Sequence, residues 1–154
     1  VTIPLSSVGV TSTTFIPYME YFGQRESLSY VKTAPSSMTA CVRELYDEGR
    51  IAGENYLNTK AQEMIAATQG VAGYLDAFFV GINSFNYGAY QEGASSVAVA
   101  QANQGREIPF IPVAEVTEAT PLATAEWIDF FAAFFNKEDP AQQVLTAIEA
   151  RYNC

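Results

Sequence analysis

The chain of 154 residues contains no histidine. This absence excludes the Ser-His-Asp and Cys-His arrangements of nucleophilic catalysis and zinc sites built on imidazole. A nucleophile elbow, a P-loop and a GxGxxG motif are also absent. Carboxylates such as Asp47 and Glu48 are adjacent in sequence, as solvated surface residues commonly are. We therefore expect a protein that is not an enzyme and that carries no cofactor or metal.

Positive charge is scarce, and long hydrophobic runs are missing. Eight lysines and arginines stand against 17 aspartates and glutamates, which gives a net charge of −9 at pH 7. Such a surface repels nucleic acid and anionic lipid, so neither is an expected partner. The apolar runs AFFVGI and FFAAFF are far shorter than the roughly 18 residues of a membrane-spanning helix, so we expect no insertion into a membrane.

Cysteine is limited to Cys41 and Cys154, with no CxxC spacing. The spacing excludes the common zinc and thioredoxin-like motifs. A disulfide between the two would close a loop of roughly 110 residues and stabilise the fold by about 4 to 5 kcal/mol in the chain-entropy model. The alternative is one buried thiol and one terminal thiol.

The full sequence is 49% hydrophobic and alternates between short apolar runs and helix-like periodic segments, without repeats. This alternation predicts one domain of the α/β class, a three-layer sandwich around a mostly parallel sheet, that ends in a long helical segment. Residues 49–57 are polar and contain glycine, which predicts an irregular connection. The predicted strands are Val8–Thr11, Ser27–Val31, Ala77–Val80 and Pro109–Val113, and the predicted helices before the C-terminal segment are Phe15–Phe22, Ser37–Glu48, Asn58 or Thr59 to Thr68, and Ala94–Asn103.

Two consecutive helices are predicted over residues 121–154. Thr120 and Pro121 form a typical N-cap and first-residue pair, and Asp139 and Pro140 repeat it, with Gln142 completing a start that resembles a capping box. The first helix carries an apolar stripe and the second an apolar face, both typical of core packing. The stripe consists of Trp127, Phe130, Phe131, Phe134 and Phe135, and the face of Ala141, Val144, Leu145, Ile148 and Tyr152.

Ligands of open parallel sheets bind at the carboxyl ends of the strands. The corresponding loops here are 11–15, 32–37, 81–93 and 115–120. The hydroxyls of the first loop could hold an anionic group or simply cap the following helix, and the aromatic rings of the third could stack on a planar ligand or fold inward. The candidate ligand contacts are Thr13, Thr14, Phe15, Phe85, Tyr87, Tyr90 and Glu115.

The order of these segments resembles a known family, the substrate-binding proteins of ABC uptake systems for iron chelates and cobalamin, whose two lobes are joined by a rigid helix. In that family an N-terminal strand, a Ser/Thr loop and a helix ending at glycine are followed by a strand ending in glycines, a helix, a strand of the type IPVxxVxE and a helix of the type AEWIxFxAxFFNKE. The matching residues are 8–10, 11–14, 15–23, 78–81, 95–103, 108–115 and 125–138.

The resemblance implies an exported (periplasmic, extracellular or lumenal) solute-binding protein that contributes one N-terminal lobe of a cleft. Its ligand would be a chelated metal, a corrinoid or a haem-like molecule, because relatives that bind bare zinc or manganese rely on histidines. Bare ferric iron on Tyr87, Tyr90 and Glu115 is a minor alternative. Glu92 would correspond to a glutamate that docks on the permease, and an exported location favours the Cys41–Cys154 disulfide.

The chain ends at Cys154, where the resemblance places the inter-lobe helix, and residues 121–154 would form its start. It is therefore expected to be either one lobe of a longer protein or a descendant that functions without the second lobe. The second case suggests a different function, that of a structural or assembly subunit of a larger complex that kept the fold and lost the ligand. A cleft face without its partner lobe would then contact another protein.

Overall fold

The computed structural model describes residues 2–32, 39–53, 75–82 and 108–152. In this part of the chain five parallel strands form one sheet. Their bounds are Val8–Val10 (β1), Leu28–Val31 (β2), Ala52–Gly53 (β3), Ala77–Gly81 (β4) and Phe110–Val113 (β5). The predicted helix at residues 58–68, the predicted helix Ala94–Asn103 and most of the third predicted loop lie outside the described residues.

The strand order is β3-β2-β1-β4-β5, so β1 is central. Val8 of β1 pairs with Leu28 on one side and with Ala77 on the other, and Phe79 of β4 pairs with Ile111 of β5. The chain therefore adds β2 and β3 on one side of β1 and then adds β4 and β5 on the other side. The two directions diverge between β1 and β4.

Four α-helices accompany the sheet in the described residues, α1 (Ile16–Tyr21), α2 (Ala40–Asp47), α3 (Pro121–Ala133) and α4 (Glu138–Tyr152). The predicted α/β class, with a parallel sheet and C-terminal helices, is confirmed. None of the described helices has the length and apolarity that a bilayer crossing requires.

Helices α1 and α3 meet the sheet through a cluster of aromatic rings. The ring of Phe79 lies 4.8 Å from that of Phe131 and 5.3 Å from that of Phe134, and Phe131 also contacts Phe15 at 5.4 Å and Tyr18 at 5.2 Å between centroids. Tilted and edge contacts of this kind add to the hydrophobic stabilisation of burial. The predicted stripe on the first C-terminal helix is therefore core, although Phe134 and Phe135 follow the last residue of α3.

The other face of the sheet is also buried. Phe78 and Val80 of β4, Tyr30 of β2 and Ile108 before β5 are inaccessible to solvent. Because successive strand residues point to opposite faces, Phe78 lies on this face and Phe79 on the aromatic face. Burial on both sides explains why β4 is a continuous apolar run rather than an alternating one.

Threonine hydroxyls cap two helices, of which only the Thr120 cap was predicted, because α2 was expected to begin at Ser37 and begins at Ala40. The Thr39 hydroxyl accepts the backbone N–H of Val42 at the start of α2, and the Thr120 hydroxyl accepts that of Ala123 at the start of α3. Both threonines have extended backbone, as N-cap residues do. The first helix begins earlier than predicted, as a 3-10 turn at Thr13–Phe15 that leads into α1.

The predicted start of the last helix, at Pro140, is wrong by two residues. Helix α4 begins at Glu138, so Asp139 and Pro140 lie inside its first turn, and the Lys137 carbonyl accepts the N–H of Ala141. Proline is tolerated there because N–H groups of the first turn have no intrahelical partner. Gln142 donates to the Asp129 carboxylate of α3 instead of closing a capping box.

Two smaller predictions are also corrected. Residues 49–57 were expected to be irregular, yet Ala52–Gly53 pairs with Tyr30 and Val31 as the short edge strand β3. Tyr152 was expected on the buried face of the last helix, and its side chain is 53% exposed.

The predicted disulfide is not supported. Cys41 carries a free thiol on the exposed side of α2. Cys154 lies outside the described residues.

Candidate functional site

The candidate site lies where the strand order changes direction. In open α/β sheets the crevice outside the carboxyl ends of the strands, at such a switch point, is where ligands bind. Here the point falls between β1 and β4, so Thr11 and Ile82, which directly follow Val10 and Gly81, lie at its floor. The segment after β5 borders the same edge, since β5 runs parallel to β4.

Thr11 ties the two central strands together at this edge. Its backbone N–H donates to the Phe79 carbonyl at 3.1 Å, and its hydroxyl accepts the Gly81 N–H at 3.0 Å. A Cβ atom on Gly81 would lie 3.4 Å from the Phe15 ring. The floor is therefore fixed by backbone hydrogen bonds above a buried aromatic residue.

The loop after β1 carries hydroxyls. Ser12 is the N-cap of the 3-10 turn, and its hydroxyl oxygen lies 3.3 Å from the Thr14 backbone nitrogen that donates to it. The Ser12 and Thr14 hydroxyl oxygens are 2.8 Å apart. Ser12 and Thr13 are partly buried and Thr14 is exposed, so this loop presents hydroxyl oxygens to solvent at the crevice.

Glu115 follows β5 and is the first residue of a 3-10 turn, Glu115–Thr117. It is a charged side chain with only 4% of its surface exposed. The Thr14 hydroxyl donates a hydrogen bond to its Oε1, which joins the turn after β5 to the loop after β1. The second oxygen, Oε2, is buried and has no hydrogen-bond partner within the described part of the chain.

Burial raises the pKa of Glu115 above its ordinary value, because desolvation disfavours the charged form. The Thr14 hydroxyl and the backbone N–H groups of Glu115 and Val116 act in the opposite direction, since they stabilise the carboxylate. Burial thus favours the neutral carboxyl, whereas the hydrogen-bond donors favour the ionised form.

Tyr18 of α1 lies on the core side of this arrangement. Its hydroxyl donates to the Thr124 carbonyl at 3.1 Å, and its ring stacks on Phe131. Burial, with a smaller contribution from the charge of Glu115, raises the pKa of Tyr18 to about 12. Tyr18 therefore stays neutral and serves as a fixed wall.

The outer side of the Glu115 turn carries a natural reporter. The indole N–H of Trp127 donates to the Glu118 carboxylate at 3.0 Å, and Val116 is 55% exposed beside them. Trp127 is the single tryptophan of the chain. Tryptophan emission from this protein therefore comes from a residue hydrogen-bonded next to this turn.

The structure brings together some of the predicted contacts and separates others. Thr14 and Glu115 are hydrogen-bonded, and Thr13 lies beside them in the same turn. Phe15 has no exposed surface and packs on Phe131, so its ring is core rather than a ligand contact. The remaining predicted site residues, Phe85, Tyr87, Tyr90 and Glu92, lie outside the described residues.

Sequence reasoning undervalued Ser12 and Thr11. Both are part of the hydroxyl-bearing loop, yet neither was among the candidate contacts. The available signal was their position directly after a buried parallel strand. Within the described ranges, no cluster of three or more acidic or cysteine side chains is arranged to hold a metal ion.

Comparison with known proteins gives a fold and no family. No family model matches the chain, and no curated protein matches it. A solved structure from Saccharomonospora viridis, described as an ABC-type Fe3+-hydroxamate transport system, is similar with a TM-score of 0.62 at 17% sequence identity. The similarity covers 96% of this chain and 49% of that one, so this chain spans about half the length of that protein. At this identity the likeness establishes the fold alone.

Proposed function

We propose that this chain is a non-catalytic solute-binding module for a chelated metal ion, in which the carboxyl edge of the sheet forms one wall of the ligand cleft. The observation that carries the proposal is the hydroxyl-bearing loop after β1, joined to the buried carboxyl of Glu115 at the switch point of a parallel sheet. Rigid elements that hold a few polar groups beside apolar walls are typical of small-molecule sites.

The fold of the similar transport protein supports this choice, because that protein is described as handling a ferric hydroxamate. The expected ligand here is accordingly a ferric chelate, with a corrinoid as second choice. Thr13, Thr14 and Glu115 are kept as residues of the site, and Phe85, Tyr87 and Tyr90 are proposed to supply stacking surfaces. An exported location and docking on a membrane permease through Glu92 belong to the same proposal.

Calorimetric titration of the purified chain with a ferric trihydroxamate and with cobalamin tests the proposal, and Trp127 emission gives a second readout. We expect saturable binding with a dissociation constant of about 10 μM or lower, which corresponds to roughly 7 kcal/mol. Ser12→Ala should weaken binding, whereas Gln143→Ala, on the exposed side of α4, should leave it unchanged.

The absence of binding by any ferric chelate or corrinoid at about 100 μM would contradict the proposal. The competing function, an assembly subunit that kept the fold without the ligand, would then be tested by sedimentation. The exposed Val116 at the rim of the site is the observation that gives it weight.

A further inference from the structure

The hydrogen-bond chain at the site has a direction, and that direction restricts the ligand. Three side chains are linked in this series of hydrogen bonds. The inference drawn from them rests on the proposed solute-binding function. Ser12 Oγ lies 2.8 Å from Thr14 Oγ1, and Thr14 Oγ1 donates to Glu115 Oε1. The two hydroxyls belong to the loop after β1 and the carboxyl to the turn after β5.

Counting protons fixes the direction of each bond. A threonine or serine hydroxyl has one proton and two lone pairs, and an ionised carboxylate only accepts. While Glu115 is ionised, the proton of Thr14 is therefore committed to its carboxylate. In the 2.8 Å contact between the two hydroxyls, Ser12 must consequently be the donor and Thr14 the acceptor.

Neither hydroxyl retains a proton for a ligand. Ser12 Oγ donates to Thr14 and accepts the Thr14 backbone N–H. Thr14 donates to Glu115 and is exposed to solvent. We propose that the Ser12–Thr14–Glu115 chain presents hydrogen-bond acceptors to the crevice, so that it takes its ligand through an N–H, O–H or ammonium group and rejects anionic oxygen.

The burial of the carboxyl is a second observation behind this assignment. Glu115 is 96% shielded from solvent, and its Oε2 has no hydrogen-bond partner among the described residues. The Thr14 hydroxyl therefore meets this carboxyl together with the backbone N–H groups of Glu115 and Val116. Tyr18 of α1, which stays neutral, feels the charge of Glu115, and Glu118 ends the same 3-10 turn.

This hydrogen-bond direction argues against the binding of an anionic ligand by the loop after β1. Hydroxyls in front of a helix often receive an anion. Here the carboxylate of Glu115 already occupies the position of that anion with respect to Thr14. Protonation of Glu115 would allow the carboxyl to donate to Thr14, which would free the hydroxyl protons and weaken the preference.

A matched set of chelates tests the ligand preference. One linear ferric trihydroxamate is used in three forms, with its terminal group a free ammonium, an acetylated amide or a succinylated carboxylate. At about pH 8, well above the ordinary pKa of a glutamate, we expect the ammonium form to bind at least about tenfold more tightly than the carboxylate form, the ratio typical of one hydrogen bond to a charged group. Equal or tighter binding of the carboxylate form would overturn the proposal.

Variants at Thr14 provide the matched control. Thr14→Val keeps the shape but removes the acceptor, so the ammonium preference should fall to about twofold or less. Thr14→Ser keeps the hydroxyl and should keep the preference. Loss of the preference in both variants, or in neither, would contradict a role for this hydroxyl.

A ligand-free measurement separates this inference from the proposed function. The Glu115 carboxyl is titrated by carbon-detected NMR in the wild type and in Thr14→Val. If Thr14 donates, its loss raises the pKa of Glu115, because a hydrogen bond to the charged form lowers a pKa. A lowered pKa in the variant would show the opposite direction and refute the inference. If no chelate binds while the pKa rises, the solute-binding function fails and the acceptor polarity of the chain stands.

Discussion

Gly9 illustrates how a single residue permits the core of the sheet. It is the middle residue of β1, and the Phe78 ring crosses directly above it to reach Tyr30, whose ring is 5.8 Å away. A Cβ on Gly9 would lie 2.3 Å from the Phe78 ring, far inside van der Waals contact. Phe78 is fully buried, so its ring has little room to move.

We therefore expect Gly9→Ala to lower the free energy of unfolding by about 1 to 3 kcal/mol, as overpacking does in closed cores. Urea denaturation measures the change. Gly81→Ala is the matched control, since its Cβ would make an ordinary 3.4 Å contact with Phe15. Equal stability of the two variants would contradict the crossing of the Phe78 ring over β1.

Glu115 makes stability depend on pH in a defined direction. Its pKa is raised in the folded chain, so between its unfolded and folded pKa values the native state binds more protons than the unfolded state. The contribution of the neutral carboxyl is complete below the unfolded pKa and is lost as pH rises through the folded pKa. Glu115→Gln cannot ionise and does not undergo this loss.

The stability of Glu115→Gln relative to the wild type should therefore rise as pH increases from about 4 to about 8. Thermal or urea unfolding at several pH values gives the difference. Glu118→Gln, at an exposed position, serves as the control and should show a smaller dependence. A relative stability of Glu115→Gln that is constant or falls over this range would mean that the carboxyl is not destabilised by burial.

At the scale of the helix, the two threonine caps and the misplaced aspartate cap form a natural comparison. The Thr120 hydroxyl accepts an N–H of the first turn of α3, whereas Asp139 lies inside the first turn of α4. Thr120→Ala should cost about 1 kcal/mol, and Asp139→Ala only a few tenths through the helix dipole. Denaturant unfolding of both variants, with exposed Thr146→Ala as a reference, measures this. A larger loss of stability in Asp139→Ala than in Thr120→Ala would support Asp139 as the N-cap of α4, as the sequence predicts.

The same comparison shows which features of an element could be predicted. Thr120 and Pro121 were sufficient to predict the start of α3, because an N-cap depends on residues two or three positions apart. The start of α4 was missed because Lys137 supplies only a backbone carbonyl, which has no sequence signal, and because Gln142 is used by Asp129 of α3. Strand β3 was missed because two residues paired to Tyr30 and Val31 carry no periodicity.

The sequence predicted where the candidate site lies but not the direction of its hydrogen bonds. The rule for strand ends pointed to Thr14 and Glu115 before any contact was known. The burial of Phe15 and the bond between Thr14 and Glu115 depend on packing across 101 positions of sequence. No local pattern encodes a contact of that separation, and the direction of the Ser12–Thr14 bond depends on it.

At the scale of the whole molecule, the strand order and the net charge decide what the local site experiences. The order β3-β2-β1-β4-β5 creates the switch point, and it follows from long-range pairing rather than from any segment alone. The net charge of −9 adds a negative potential over the entire surface. This potential favours a cationic chelate even without a specific contact.

Salt separates the two contributions. The Debye length falls from about 10 Å at 0.1 M to about 3 Å at 1 M, so the field of distant charges is screened while a direct hydrogen bond is not. We expect the affinity ratio between the ammonium and carboxylate forms of the chelate to decrease between these salt concentrations and then to level off above unity. Calorimetry at increasing sodium chloride gives the ratio, with the acetylated form as a nearly uncharged reference.

The plateau is the informative quantity, because only contact with Ser12 and Thr14 can sustain it. In Thr14→Val the ratio should continue to fall toward one, since the field of −9 remains but the acceptor is gone. A wild-type ratio that reaches one at high salt would assign the whole preference to net charge. A wild-type ratio that does not change with salt would assign it to the local chain alone, and the surface potential would then have no part in selecting the ligand.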